Sequence, residues 1–284
     1  MAGPVPGDDQ YALIVGAMKS GTSALFDLMA QHPQVCPSKV KEPEYFSERQ
    51  GHGLRVDRYA DLWEFDPSRH RVAMEASTGY AKYPSETGVP QRISAAGLQP
   101  RFIYVLRHPV ERISSQVVYG TWGRKGAVAD FANPEALAIS RYAEQLEQFT
   151  AVFPRERFLL IDHGALAVDP VGVAATVQDF LGLDPVALAP PEAPKNAARP
   201  RSDWERRLMA RGPLARVATA APDSVKSRLR RASGSKAAAR PVMTAEVAER
   251  LFDALADDMA RLHAQWGFDV AQWGFGPQSS REAS

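Results

Sequence analysis

Tyr11-Ala12-Leu13-Ile14-Val15-Gly16-Ala17-Met18-Lys19-Ser20-Gly21-Thr22-Ser23 decides how this chain is read. Its first five residues form an apolar run that predicts a buried strand. Ser23–Gln31, with Leu25, Leu28 and Met29 on one face, predicts a helix. A strand, a glycine-bearing turn and a helix N-terminus make an anion site, because backbone N–H groups converge there and the helix dipole favours negative charge. Lys19 adds a full positive charge, and Ser20, Thr22 and Ser23 add hydroxyl donors. The spacing is not that of the Walker loop, G-x-x-x-x-G-K-[ST]. Counting from Gly16, Gly21 falls in register, but Thr22 follows it and the lysine lies two places before the glycine. A metal-dependent nucleotide hydrolase loses most of its support there. What remains rests on Asp162, which ends an apolar strand as a Walker-B acid would.

Outward from this stretch, Arg71–Glu75, Arg101–Leu106 and Arg157–Ile161 also read as buried strands. Helices are predicted over Val110–Tyr119 behind Pro109, over Glu135–Phe149, and from Asp169-Pro170 to Leu181 with Gly182 as its stop. Met243–Trp266 is a long amphipathic helix carrying Val247, Leu251, Leu255, Met259 and Leu262. Strands separated by helices predict a doubly wound α/β domain, a P-loop-like central parallel sheet flanked by helices on both faces. One domain is expected over residues 1–284, with 1–10 and 278–284 as frayed tails. Residues 185–241 are expected to be a loop-rich basic cover, with two short helices within 203–231.

The chain has 284 residues, 45% hydrophobic and 24% charged, with a net charge of +1. These values exclude low-complexity disorder and a protein that coats nucleic acid. The neutral total averages two unlike regions: residues 195–240 hold 13 Lys/Arg and three Asp/Glu, the remainder 21 and 30. Cys36 stands alone, which excludes a disulfide framework, and none of the six histidines is paired at metal-ligand spacing, so no metal is expected. No apolar run reaches the ~18 residues of a membrane span. Met1–Gln10 lacks the basic start of a signal peptide, so a cytoplasmic location is expected.

Lys19-Ser20-Gly21-Thr22-Ser23 after a first strand resembles the loop of sulfotransferases that use 3′-phosphoadenosine 5′-phosphosulfate (PAPS), where it holds the 5′-phosphosulfate. Arg107-His108-Pro109, with Ser115 eight residues after the arginine, resembles that family's grip on the 3′-phosphate; His108 stands where members often carry Asp or Asn. A guanidinium fork suits a phosphate. Lys41-Glu42-Pro43-Glu44-Tyr45-Phe46 resembles a stretch of bacterial and Golgi carbohydrate sulfotransferases whose glutamate is the general base. Glu75-Ala76-Ser77-Thr78-Gly79-Tyr80 resembles a heparan-type segment, with Ala76 replacing a substrate-facing lysine, which speaks against a polyanionic acceptor. Gly234–Pro241, the long helix and Trp273 resemble the family's closing pattern.

The resemblance implies a PAPS-dependent sulfotransferase of bacterial type, related to the Golgi carbohydrate and heparan-type enzymes. It implies Glu42 as base, with Glu44 and His52 as competitors, and Lys19 as the cation at the leaving phosphate. Lys19, Ser20, Gly21, Thr22, Ser23, Arg107, Ser115, Lys236 and Arg240 are the implied cofactor ligands, with Ser235 a weaker one. Lys41, His52 and Tyr80 are candidates on the acceptor side, while Tyr59 and Trp63 at i, i+4 read equally as packing. Trp122 and Trp204 are open in the same way. The expected acceptor is a small molecule, glycolipid, natural product or glycan-like compound. No nucleic-acid or membrane partner is expected. The rivals are a P-loop-like kinase and a non-catalytic nucleotide-binding protein on the same fold.

Overall fold

The computed structural model of the chain describes residues 4–48, 56–122, 127–189 and 239–276. Five parallel strands form one sheet: β1 (Tyr11–Gly16), β2 (Val35–Pro37), β3 (Val72–Ala76), β4 (Arg101–Leu106) and β5 (Phe158–Asp162), in the order β2-β3-β1-β4-β5. Alternation along β1 sends Tyr11, Leu13 and Val15 to one face and Ala12 and Ile14 to the other; all are buried, as a sheet covered on both faces requires. In β4, Phe102, Tyr104 and Leu106 join the first face, and Ile103 and Val105 the second.

The second face is covered by α1 (Thr22–Met29), through Leu25, Leu28 and Met29, and by α7 (Pro170–Leu181), through Val177 and Leu181. The first is covered by α3 (Pro109–Thr121), α5 (Tyr142–Thr150) and α8 (Ala245–Trp266); α8 contributes Leu251, Leu255, Met259 and Leu262 from the expected stripe. Asp258 lies within that stripe and is buried. Its carboxylate accepts from the N–H groups of Ala143 (3.0 Å) and Glu144 (3.1 Å) and from Arg261 (2.9 Å), so it caps α5 from another helix. The chain carries α7 as expected, capped by Asp169 at Gly172 N–H (2.9 Å) and ended by Gly182 in the left-handed region.

Several expectations need correction. The helix predicted over Glu135–Phe149 is two, α4 (Pro134–Ile139) and α5, broken at Ser140-Arg141. The break is tertiary in origin. Buried Arg112 of α3 donates to Ser140 Oγ (2.7 Å), and a second donation goes to Ala136 O (2.6 Å). The expected N-terminal tail is shorter than 1–10, because Asp8 O and Gln10 O accept from Gln99 and Ala73 N–H, both at 2.8 Å. Strand β2, helix α2 (Val89–Ala95) and helix α6 (His163–Val168) were not expected. The expectations for Lys236, Ser235, His52 and Trp204, for the 203–231 helices and for the 278–284 tail lie outside the described residues, as do residues 190–238 of the expected basic cover.

Candidate active site

Every strand of the sheet ends on the same side, and the candidate residues stand just beyond those ends: 17–23 after β1, 38–46 after β2, 77–80 after β3, 107–115 after β4 and 163 after β5. Open α/β sheets bind ligands in that crevice, where the chain leaves the central strand in two directions. Here β1 is central, with β3 on one side and β4 on the other.

Ala17 N–H donates to Val105 O (2.8 Å), tying the anion loop to β4. Gly21 precedes α1 with φ +93°, and a Cβ there would meet His163 Nδ1 at 2.9 Å. Glycine is therefore demanded twice, by backbone conformation and by the close histidine. Helix α1 has no side-chain cap and no acidic residue in its first turn, which leaves its N–H groups for an anion. Ser20 Oγ is buried beside Tyr142 without a hydrogen bond of good geometry. The Lys19 ammonium lies over the Tyr119 ring, 3.9 Å from its centroid.

Arg107 leaves β4 and turns toward both the loop and α3. Its Nη1 is 3.5 Å from Lys19 O, while Nε and Nη2 donate to Glu111 Oε2 at 3.2 and 2.9 Å. Glu111 and Ser115 are i, i+4 neighbours on α3, so the guanidinium is held on the face that carries Ser115. Tyr142 fixes the arginine backbone by donating to Arg107 O (2.7 Å). His108 is packed among Phe252, Trp273 and Phe275, with burial lowering its pKa; the departure from Asp or Asn thus faces the C-terminal segment. Arg240 lies 5.9 Å from the Trp122 ring at the end of α3, which places that end of the basic cover beside the Arg107 helix.

Glu42 follows β2 in a left-handed conformation (φ +52°). Its N–H donates to Ala76 O (3.0 Å), and its Oε2 accepts from Thr78 Oγ1 (2.9 Å). The neighbouring Lys41 ammonium donates to Ser23 Oγ on α1, so it sits at the anion loop although it was a candidate for the acceptor side. Glu44 also has positive φ (+47°), and its carboxyl lies against Gly79, where a Cβ would come within 2.5 Å of it. Tyr80, the other described acceptor-side candidate, is buried with its hydroxyl on Glu75 (2.9 Å). Tyr59 and Trp63 are packing residues: both are buried, 4.8 Å apart, with hydrogen bonds to Glu75 and Met74 O.

Two residues escaped the sequence reading. Arg112 is fully buried and reaches toward Met18 O (3.4 Å), so it braces the anion loop from α3; its signal in the sequence is a second arginine five residues after Arg107. His163 closes the loop from the β5 side, and burial, with the Arg107 charge beside it, lowers its imidazole pKa. Asp162 spends one oxygen capping α6 at Ala165 N–H (2.8 Å), a structural use for the supposed Walker-B acid.

A family model described as "Sulfotransferase family" matches residues 12–187, more than half of the chain. The chain belongs to the sulfotransferase family. Among relatives of this sulfotransferase-family chain, human "Heparan sulfate glucosamine 3-O-sulfotransferase 6" is 33% identical over 61% of the chain and 52% of its own length. Mouse "Heparan sulfate glucosamine 3-O-sulfotransferase 3B1" is 30% identical over 61% and 46%. The chain spans about half the length of these curated relatives. A solved structure of a sulfotransferase from Alicyclobacillus acidocaldarius covers 94% of this chain and 99% of its own, with TM-score 0.63 and 23% identity, a likeness of fold. No helix among the described residues is long and apolar enough to cross a membrane.

Proposed function

We propose that this chain transfers a sulfuryl group from PAPS to a hydroxyl or amine, with Glu42 as the proton acceptor. One observation carries the reading: the Glu42 loop and the anion loop meet, with Lys41 on Ser23 of α1 and the Glu42 carboxylate one residue away. A base beside an anion cradle is what transfer to a nucleophile needs.

The described residues fit the donor. The uncapped start of α1, buried Ser20 Oγ and the Lys19 ammonium suit a 5′-phosphosulfate, and Arg107 with Ser115 suits a 3′-phosphate. PAPS supplies an activated sulfuryl group whose sulfur–oxygen bond to the 5′-phosphate breaks as the bond to the acceptor forms. Glu42 takes the acceptor's proton, and Thr78 orients the carboxylate by donating to Oε2. Lys19 and the α1 N–H groups stabilise the electron pair left on the phosphate oxygen. Arg107 exchanges its exposed partner Glu111 for phosphate at little cost, because a surface ion pair is worth ~0–1 kcal/mol.

For the acceptor we favour a neutral small molecule, glycolipid, natural product or glycan-like compound. The heparan sulfate glucosamine named for the relatives is consistent with a sugar hydroxyl. Ala76, buried where the heparan-type segment has lysine, offers no cation to a polyanion. The test is a mass-spectrometric screen with labelled PAPS and cell extracts for products that gain one sulfuryl group. Glu42→Gln should lower turnover by ~10²-fold or more while affinity for the desulfated product 3′-phosphoadenosine 5′-phosphate (PAP) is kept. Transfer at the parent rate by that variant would remove Glu42 from its role, and a chain that binds no PAP would remove the reading altogether.

A further inference from the structure

The 42–46 loop is held in a conformation that its own sequence disfavours. Glu42 and Glu44 both lie at positive φ, where side chains other than glycine are strained. The support comes from a buried carboxylate. Glu75 of β3 is fully buried and accepts three hydroxyl hydrogen bonds: Tyr59 to Oε1 at 2.6 Å, Tyr80 to Oε1 at 2.9 Å, and Ser77 to Oε2. A carboxylate only accepts, and each hydroxyl carries one proton. With those protons on Glu75, the lone pairs of Ser77 and Tyr80 are turned outward. The Glu44 N–H donates to Ser77 Oγ at 3.0 Å, and the Phe46 N–H donates to the Tyr80 oxygen at 3.3 Å. The Tyr59 ring packs on Tyr45 and Phe46 at 5.2 and 4.6 Å and clamps the same loop from its other side.

We propose that Glu75 is a positioning residue for the proton acceptor: its carboxylate, relayed through the Ser77 and Tyr80 hydroxyls, sets the 42–46 backbone and so the aim of Glu42. The role in transfer rests on the function proposed above; the relay itself does not. The groups facing Glu75 are Tyr59, with Tyr11 behind it, Tyr80, Ser77 and the Glu44 carboxylate. Burial, reinforced by Glu44 and opposed by the three hydroxyls, raises the Glu75 pKa to about 6. Once protonated, Glu75 becomes a donor and one hydroxyl must accept from it; where that hydroxyl is Ser77 or Tyr80, its own proton turns away and a loop N–H loses its acceptor. The relay is complete above about pH 6 and weakened below it.

The experiment uses the full chain and compares Glu75→Gln with the parent. Gln cannot titrate, and its amide presents a donor where the carboxylate presented an acceptor. Hydrogen exchange of the peptide covering residues 42–48, corrected for intrinsic rates, is followed from pH 5 to pH 8. In the parent, protection of Glu44 and Phe46 N–H should rise through about pH 6. In Glu75→Gln it should be lower by ~10-fold or more at pH 7.5 and flat with pH, with thermal stability not reduced and PAP affinity within about twofold of the parent. With an acceptor from the screen, kcat should fall while KM for PAPS holds. A general base titrates in its own right, so the exchange profile, not the rate profile, decides. Equal protection and pH dependence in both proteins overturn the proposal. If Glu75→Gln does not fold, Ser77→Ala and Tyr80→Phe decide: each should expose its own amide, Glu44 or Phe46, and unchanged protection in both overturns the relay. Loss of protection with no PAP binding by the parent overturns the transfer reading and supports the relay.

Discussion

Arg107 spans two partners in this structure, the Lys19 carbonyl and the Glu111 carboxylate, and only the second is a charge that the proposed 3′-phosphate would replace. Arg107→Ala should therefore weaken PAP binding by roughly 10- to 100-fold, the scale of one charge-assisted hydrogen-bond pair, with little change in folding stability. Isothermal titration checks it. Gly21→Ala should lower both, because alanine at φ +93° is strained and its Cβ would push His163 away. A stability loss of ~1–2 kcal/mol in urea unfolding is expected, with PAP affinity falling at the same time. Glu75 carries a pH signature of its own. Its folded pKa of about 6 lies above the ordinary 4.5, so folding favours the neutral form. That contribution is fully present below pH 4.5 and is lost as pH rises through 6. The stability of Glu75→Gln relative to the parent should accordingly improve by roughly 2 kcal/mol between pH 4 and pH 7.

Helices α3, α4, α5 and α8 are joined by two buried charged side chains more than by their loops. Arg112 binds α4 through Ser140 and Ala136 O, and Asp258 of α8 caps α5. Asp258→Ala leaves two N–H groups of α5 without their acceptor and should cost ~1–3 kcal/mol in urea unfolding. The elements that the sequence revealed are those with a long local signal. Strand β1 with its glycine turn, α3 behind Pro109, α7 between Asp169 and Gly182, and the α8 stripe all stand within a residue or two of where the pattern puts them. Strand β2, three residues long on the sheet edge, has no period to read, and the α4–α5 break is written in an arginine more than 20 residues away. Site residues divide in the same way. Lys19 and Arg107 stand beside strands that the pattern locates, while Glu42 follows β2 and is legible only through its motif; all three lie beyond the strand ends. Tyr80 carries the same motif signal yet turns inward onto Glu75 of the same segment, a hydrogen bond that no spacing predicts.

On the scale of the molecule, charge is unevenly spread: residues 195–240 balance to +10 and the rest of the chain to −9. A multiply anionic donor should be drawn to that region, so the association rate of PAP should fall as salt rises while the dissociation rate changes less; stopped-flow binding across ionic strength checks it. The +1 total conceals this. The packing of His108 against Phe252, Trp273 and Phe275 carries a different consequence, one of order in time. The Arg107 turn is made early on the ribosome, but the rings packed behind His108 come more than 140 residues later. A nascent chain halted before Trp273 would hold the described strands, the anion loop, Tyr142 and Phe252, yet lack two of the three rings that pack on His108. If the proposed 3′-phosphate grip needs that backing, a chain truncated before Trp273 should bind PAP more weakly than the full chain, and isothermal titration checks it.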